Sequence, residues 1–171
     1  LMSDFIFPEL TGFPITVKRP EPFIPGTLIK RYKRFLSDIE LDDGRIITAH
    51  CVNTGRMEGL TRPGTRVWVS PANNPKRKLK FTWELSEIDG NIIGTNTSFP
   101  NKFVRQILEN RLLDFYGKYD VVKPEVKVGP SHRVDFLLEK KRGRSIYVEV
   151  KNCHLVYPDQ VAYFPDSVSE R

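Results

Sequence analysis

Between Thr27 and Gly94 turn signals cut the chain into short pieces, and that punctuation leaves room for little except a small all-β unit. Asp42-Asp43-Gly44, Pro63-Gly64 and Asp89-Gly90-Asn91 each mark a tight reversal. Phe35, Ile39 and Leu41 alternate with polar partners up to the first of them, and Ile46 to Cys51 makes the return strand. Arg66-Val67-Trp68-Val69 is a third alternating segment. Lys78 to Glu87 is the fourth, with Leu79, Phe81, Trp83 and Leu85 on one face and Lys78, Lys80, Thr82 and Glu84 on the other. Ile92-Ile93-Gly94 completes the set. The preceding segment, 1–26, carries Pro8, Pro14, Pro20, Pro22 and Pro25, shows no period and reads as an extended arm.

Five short strands over residues 27–96 fit a partly open β-barrel of the oligonucleotide-binding (OB) type, and a five-stranded SH3-like barrel has the same pattern. Charge adds a functional direction. The 171 residues carry a net charge of +6, and the excess is local. Residues 18–80 hold 14 Lys and Arg against 6 Asp and Glu, whereas the rest hold 13 against 15. Lys30-Arg31-Tyr32-Lys33-Arg34 opens the first strand and Lys76-Arg77-Lys78-Leu79-Lys80-Phe81 the fourth. Cations interleaved with aromatics suit a phosphate backbone with bases stacked beside it. The plain alternative is a lysine-coated surface over an aromatic core, and Trp68 and Trp83 do read as core. Lys30, Arg31, Lys33, Arg34, Lys76, Arg77, Lys78 and Lys80 are therefore the candidate nucleic-acid contacts.

Residues 97–171 have a different rhythm. Ser98, Pro100 and Asn101 read as a helix start, and Phe103, Val104, Ile107, Leu108 and Leu112 follow on one apolar face, with Gly117 as the stop. Three strands are expected next, Val121–Val128, Arg133–Glu139 and Ser145–Asn152, separated by Gly129-Pro130 and Lys140-Lys141-Arg142-Gly143. In the third, Glu149 and Lys151 share a face. A hairpin centred on Arg142 puts Asp135 opposite Glu149, and one centred on Pro130 puts Glu125 opposite Asp135. Three carboxylates would then stand in one row, with neighbouring Cβ atoms about 5 Å apart, destabilising unless a proton or cation neutralises them. Carboxylate oxygens are what Mg²⁺ or Mn²⁺ prefers, so Glu125, Asp135 and Glu149 are the candidate metal ligands. The alternative is three exposed acids balanced by Lys123, Lys127 and Lys151. Cys153 and His154, adjacent and on opposite faces, are poor zinc ligands and read as packing residues.

Hydrophobic content of 39% and charged content of 28% are those of a globular chain. No apolar run approaches the roughly 20 residues that span a bilayer. No basic stretch precedes an apolar one near Leu1, and there are two cysteines. Neither a secretory leader nor a disulfide framework is expected, and the cytoplasm is the expected compartment.

From Pro25 onward the chain resembles the sugar fermentation stimulation protein family, SfsA. The stretches that carry the likeness are LIKRYKRFLSDIEL, AHCVNTGRMEGL, PGTRVWVSPANNPKRKLKFTWEL, PEVKVG, RVDFLL, YVEVKN and FPDSVSER. The resemblance implies two domains, an N-terminal OB-fold β-barrel and an α/β nuclease-like domain of the PD-(D/E)XK type. It also implies DNA binding and a link to maltose metabolism. Asp135 matches the aspartate of the family's second core strand, Glu149 and Lys151 its Glu-x-Lys, and Glu125 the glutamate of EVKYG. Asn53, Thr54, Gly55, Arg56 and Gly59 match a loop of the first domain, which adds Arg56 to the nucleic-acid candidates. His132 and Cys153-His154 depart from the usual Ser and Val-Thr. The family pattern continues with a helix and strands past the point matching Arg171, so the second domain is expected to be incomplete at its C-terminal end.

The expectation is a DNA-binding protein with no membrane partner and a Mg²⁺- or Mn²⁺-binding carboxylate site. If it is an enzyme, it hydrolyses phosphodiesters with Asp135, Glu149, Lys151 and Glu125. The alternative is a non-catalytic regulator linked to sugar use.

Overall fold

A computed structural model of the chain describes residues 22–57, 59–113, 118–156 and 162–163. They divide into two compact units, one of Pro100–Val150 and one of the described residues in Arg19–Phe99 and Lys151–Arg171.

The second of these is a barrel. Its strands are β1 (Ile24–Tyr32), β2 (Leu36–Leu41), β3 (Ile46–His50), β4 (Arg66–Pro71), β5 (Phe81–Ile88) and β6 (Asn91–Gly94). β1 pairs antiparallel with β2 and β4, β2 with β3, and β4 with β5. A parallel pairing of β3 with β5 closes the ring, and β6 folds back on β5. That Greek-key ring, β1-β2-β3-β5-β4, is the OB-like order and settles the choice against the SH3-like alternative. Leu28, Ile39, Leu41, Val67, Val69 and Trp83 fill it. The Asp89-Gly90 reversal has both residues at positive φ (50° and 77°), the type I′ geometry whose twist suits a two-residue hairpin.

Three sequence expectations change here. The arm ends earlier than Pro25 suggests, because β1 begins at Ile24. Gly26 then lies so close to β2 that a Cβ on it would meet the Glu40 carbonyl oxygen at 2.6 Å. Phe35 does not share the core side with Ile39 and Leu41, since the chain turns through 33–35 before β2 starts and the ring is 44% exposed. The Thr82–Glu84 face of β5 is not solvated either. Glu84 is only 4% exposed. It accepts hydrogen bonds from Ser70 Oγ (2.6 Å) and Asn96 Nδ2 (2.8 Å), satisfying a carboxylate that burial would otherwise penalise.

The other unit is built on α1 (Phe99–Glu109) and a meander of β7 (Val121–Val128), β8 (His132–Glu139) and β9 (Ile146–Val148). Leu108, Tyr119, Phe136 and Leu138 form its core, flanked by Val104, Val122, Ile146, Val148 and Val150. The helix stops earlier than expected. Arg111 adopts φ 53°, its N–H reaches the Leu108 carbonyl, and the Leu112 N–H reaches that of Ile107. That pair of bonds is a Schellman cap, and it leaves Leu112 exposed rather than on the apolar face. Gly117, the expected stop, lies outside the described residues. Two short strands, β10 (Leu155–Val156) and β11 (Ala162–Tyr163), pair antiparallel. Cys51 and Cys153 are both free thiols, and Cys153 is exposed rather than packed.

Candidate functional site

The barrel topology decides where the basic clusters fall. Lys30, Arg31 and Tyr32 end β1, and Lys33 and Arg34 form the β1–β2 turn. Lys76, Arg77, Lys78 and Lys80 lie in the loop between β4 and β5. Lys30, Lys33, Arg34, Lys76, Lys78 and Lys80 are exposed. The β4–β5 loop is held by a turn in which the Asn74 side chain accepts the Lys76 N–H (2.9 Å) and its carbonyl the Arg77 N–H (3.1 Å). Lys80 Nζ returns to the Pro75 carbonyl (2.7 Å), and Arg77 donates to Thr82 Oγ1 (3.2 Å). Burial, then the charge of Arg77, pushes the His50 imidazolium below its usual range.

Arg31, expected as a phosphate contact, has a role within the barrel. Its Nη2 donates to the carbonyls of Arg34 (2.6 Å), Asn53 (2.9 Å) and Gly55 (3.0 Å), and its Nε also reaches Arg34 (2.9 Å). It thereby ties the β1–β2 turn to the Asn53–Arg56 loop. That loop is anchored at either side by buried Cys51 and Met57 and folded by Asn53 Oδ1, which accepts the Gly55 N–H. Burial pushes the Cys51 thiol up, so it stays protonated and donates to the Asn53 carbonyl (3.1 Å). Arg56 is exposed in this loop.

In the other unit the registers have the expected centres. Val121 pairs with Glu139 and Val128 with His132, a hairpin centred on Pro130. Phe136 pairs with Val148 and Leu138 with Ile146, a hairpin centred on Arg142. β9 is shorter than the expected Ser145–Asn152, and its ladder ends at Val148, one residue before the position that would face Asp135. Half-buried Asp135 is fixed at both oxygens: Asn101 Nδ2 donates to Oδ1 and the Val150 N–H to Oδ2, each at 2.7 Å. Asn101 comes from the first turn of α1, a contact across 34 residues that no spacing in the sequence announces. Glu149 is exposed, as is Lys151, which follows immediately after this unit.

Glu125 keeps its register position facing Asp135 but forms no ladder pair with it. The ladder steps from Pro124–Phe136 to Val126–Val134, and Glu125 itself is at φ 54°. Pro124 has no N–H to give and Glu125 is left-handed, so the ladder is interrupted there without a change of register. The Glu125 carboxylate lies 3.5 Å from Arg133. Among the described residues, no three His, Cys, Asp or Glu side chains are grouped as metal ligands. Lys123, one of the lysines read as balancing the acids, pairs with Glu139. Among these residues no helix is long and apolar enough to cross a membrane.

The geometry defines an OB-like barrel with basic β1–β2 and β4–β5 loops, and a separate sheet-and-helix unit with an ordered aspartate. Residues 29–95 match a family model described as the SfsA N-terminal OB domain, and residues 98–171 one described as the sugar fermentation stimulation protein RE domain. The chain belongs to the sugar fermentation stimulation protein family. A homolog from Marinomonas sp. (strain MWYL1) is 49% identical over 91% of this chain and 60% of its own length. One from Synechocystis sp. is 49% identical over 88% of this chain and 64% of its own. The chain thus spans a little under two thirds of the curated relatives it matches. A solved structure of Pyrococcus furiosus SfsA in complex with Ca²⁺ is 29% identical and superposes with a TM-score of 0.65, covering 78% of this chain and 57% of that one.

Proposed function

We propose that this is a DNA-binding protein whose barrel grips the phosphate backbone with the β1–β2 turn and the β4–β5 loop. The observation that carries the reading is that both basic clusters fall in these two loops, the ones OB barrels use to take oligonucleotides. Contacts of this kind release counterions, so affinity is expected to fall steeply as salt rises. Binding of a labelled oligonucleotide across a salt series tests it, and affinity indifferent to salt would contradict it.

For the second unit the proposal is a nuclease-like domain of the PD-(D/E)XK type, with a divalent-cation site at Asp135 and Glu149. The donor set fits Mg²⁺ or Mn²⁺. Each Asp135 oxygen keeps a lone pair beyond the bond it accepts, and Mg²⁺ takes one or two carboxylates together with water and phosphate oxygens. The Ca²⁺ in the complex of the Pyrococcus furiosus relative supports a hard divalent ion. Such an ion, when bound, polarises a phosphodiester and acidifies a water. The chain's own part is positional: Asn101 and the Val150 N–H fix Asp135, Glu149 adds the second carboxylate, and Lys151 offsets charge building on the phosphate. One observation favours the rival reading of a regulator that binds without cutting. Both Asp135 oxygens already serve contacts within the protein, as a purely structural aspartate's would.

Selective binding to the folded state raises stability by about 2.7 kcal/mol at 100-fold above Kd. Mg²⁺ or Mn²⁺ is therefore expected to raise the melting temperature of the wild type. The double variant Asp135→Asn, Glu149→Gln should fold and lose that response. No shift in the wild type, or the same shift in the variant, removes the site. Where the shift is present, metal-dependent cleavage of DNA that disappears in Lys151→Ala supports the nuclease, and binding without cleavage supports the regulator.

A further inference from the structure

We propose that the β1–β2 turn and the Asn53–Arg56 loop form one platform on which an unpaired base stacks against Phe35, so that the barrel takes single-stranded nucleic acid. The proposal rests on the reading of the barrel as a nucleic-acid interface and names the form of ligand that interface selects.

Phe35 has the position parity of Ser37, Ile39 and Leu41, all buried, yet its ring is 44% exposed. The ring is outside because the chain reverses through 33–35, where Lys33 and Arg34 hold φ values of 49° and 63°. Two successive left-handed residues that are not glycine are costly and persist only where surroundings enforce them. Here the enforcing group is identifiable. Arg31 Nε and Nη2 both hold the Arg34 carbonyl, and the Phe35 carbonyl accepts the Cys51 N–H at 2.9 Å. The backbone of the tip is thus fixed on both sides of the exposed ring.

Arg31 is a positioning residue in this arrangement. The carbonyls it holds, of Arg34, Asn53 and Gly55, are all neutral, so its full charge remains on the surface it organises. Through Asn53 and Gly55 the same guanidinium fixes the second loop beside the turn. The result is a preorganised aromatic ring with Lys33 and Arg34 immediately before it in the chain and Lys30 exposed at the end of β1. A flat ring flanked by cations suits a base and its phosphates, and stacking is indifferent to which base is presented. In a duplex every base face is already covered by its neighbours, so only an unpaired base can lie on Phe35.

The test compares a labelled oligothymidylate of about 20 nucleotides, longer than one OB site, with the same strand annealed to its complement. The wild type is expected to favour the single strand. Phe35→Ala should weaken single-strand binding by about 5- to 150-fold, the loss of one base–aromatic stack, and leave duplex binding unchanged. Phe35→Tyr should retain the affinity. Arg31→Lys keeps the charge but cannot hold three carbonyls, so it should lower single-strand affinity with an unaltered salt slope. Single-strand affinity unchanged in Phe35→Ala, while reversal of Lys76, Arg77 and Lys78 still weakens binding, overturns stacking and leaves the basic-loop reading standing. Equal losses on single strand and duplex also overturn it. A wild type that binds neither probe removes the interface itself.

Discussion

Trp83→Ala is expected to destabilise the barrel by about 3–5 kcal/mol, the range for removing a large aromatic from a packed core. Trp83 is fully buried at the centre of β5, among Leu28, Ile39, Val67 and Val69. Its Nε1 donates to the Leu85 carbonyl at 3.0 Å, so the alanine also deprives an acceptor of its partner. Against the 5–15 kcal/mol that holds a typical domain together, the loss leaves little margin. Urea unfolding measures it, and a change below about 1 kcal/mol would mean that Trp83 is not the centre of this core.

Gly26→Val should be nearly as damaging for the opposite reason. The nearest atoms to a Cβ at Gly26 are the Glu40 carbonyl oxygen at 2.6 Å, Ile39 Cγ2 at 2.9 Å and Leu41 Cα at 3.1 Å. Two of these are backbone of β2, so relief requires moving one strand away from the other. Gly26 also pairs with Val67 on β4, which blocks retreat on that side. Overpacking of this kind costs about 1–3 kcal/mol, and with backbone as the obstacle the upper end is expected. Gly94→Ala is the control. Nothing lies within 4 Å of its Cβ position, and the change should stay within about 0.5 kcal/mol. Equal effects at the two glycines would show that β1 and β2 do not approach this closely.

Most of the architecture is legible in the residues, because strand register is a local property. Gly129-Pro130 and Lys140–Gly143 confine the two turns to a few positions, and once their centres are known every opposite pair follows. That is why the Phe136–Val148 and Leu138–Ile146 pairs follow from the turn centre on Arg142. No alternation announces the left-handed backbone at Glu125, beside a proline that cannot donate to the ladder. The start of β1 is missed because Pro25 reads as a breaker. In the barrel it pairs with Trp68, and its carbonyl accepts the Asp42 N–H at 3.2 Å, a role that needs no N–H of its own. That Arg31 holds three carbonyls is not legible, because charge alone does not announce such a role. Asn101 belongs to the acidic site only through tertiary packing.

The central claim is that the basic loops of the barrel bind nucleic acid through phosphates, and a salt titration measures this directly. Anisotropy of a labelled oligonucleotide gives Kd across a salt series for the wild type and for Lys76→Glu, Arg77→Glu, Lys78→Glu combined. Each phosphate neutralised by the protein adds a log–log slope of about −0.7 to −0.9. The expected result is a steep fall for the wild type and, for the variant, weaker binding with a slope flattened by about 2–3, one increment for each phosphate no longer neutralised. Binding independent of salt, or a slope unchanged by the three reversals, would contradict the account.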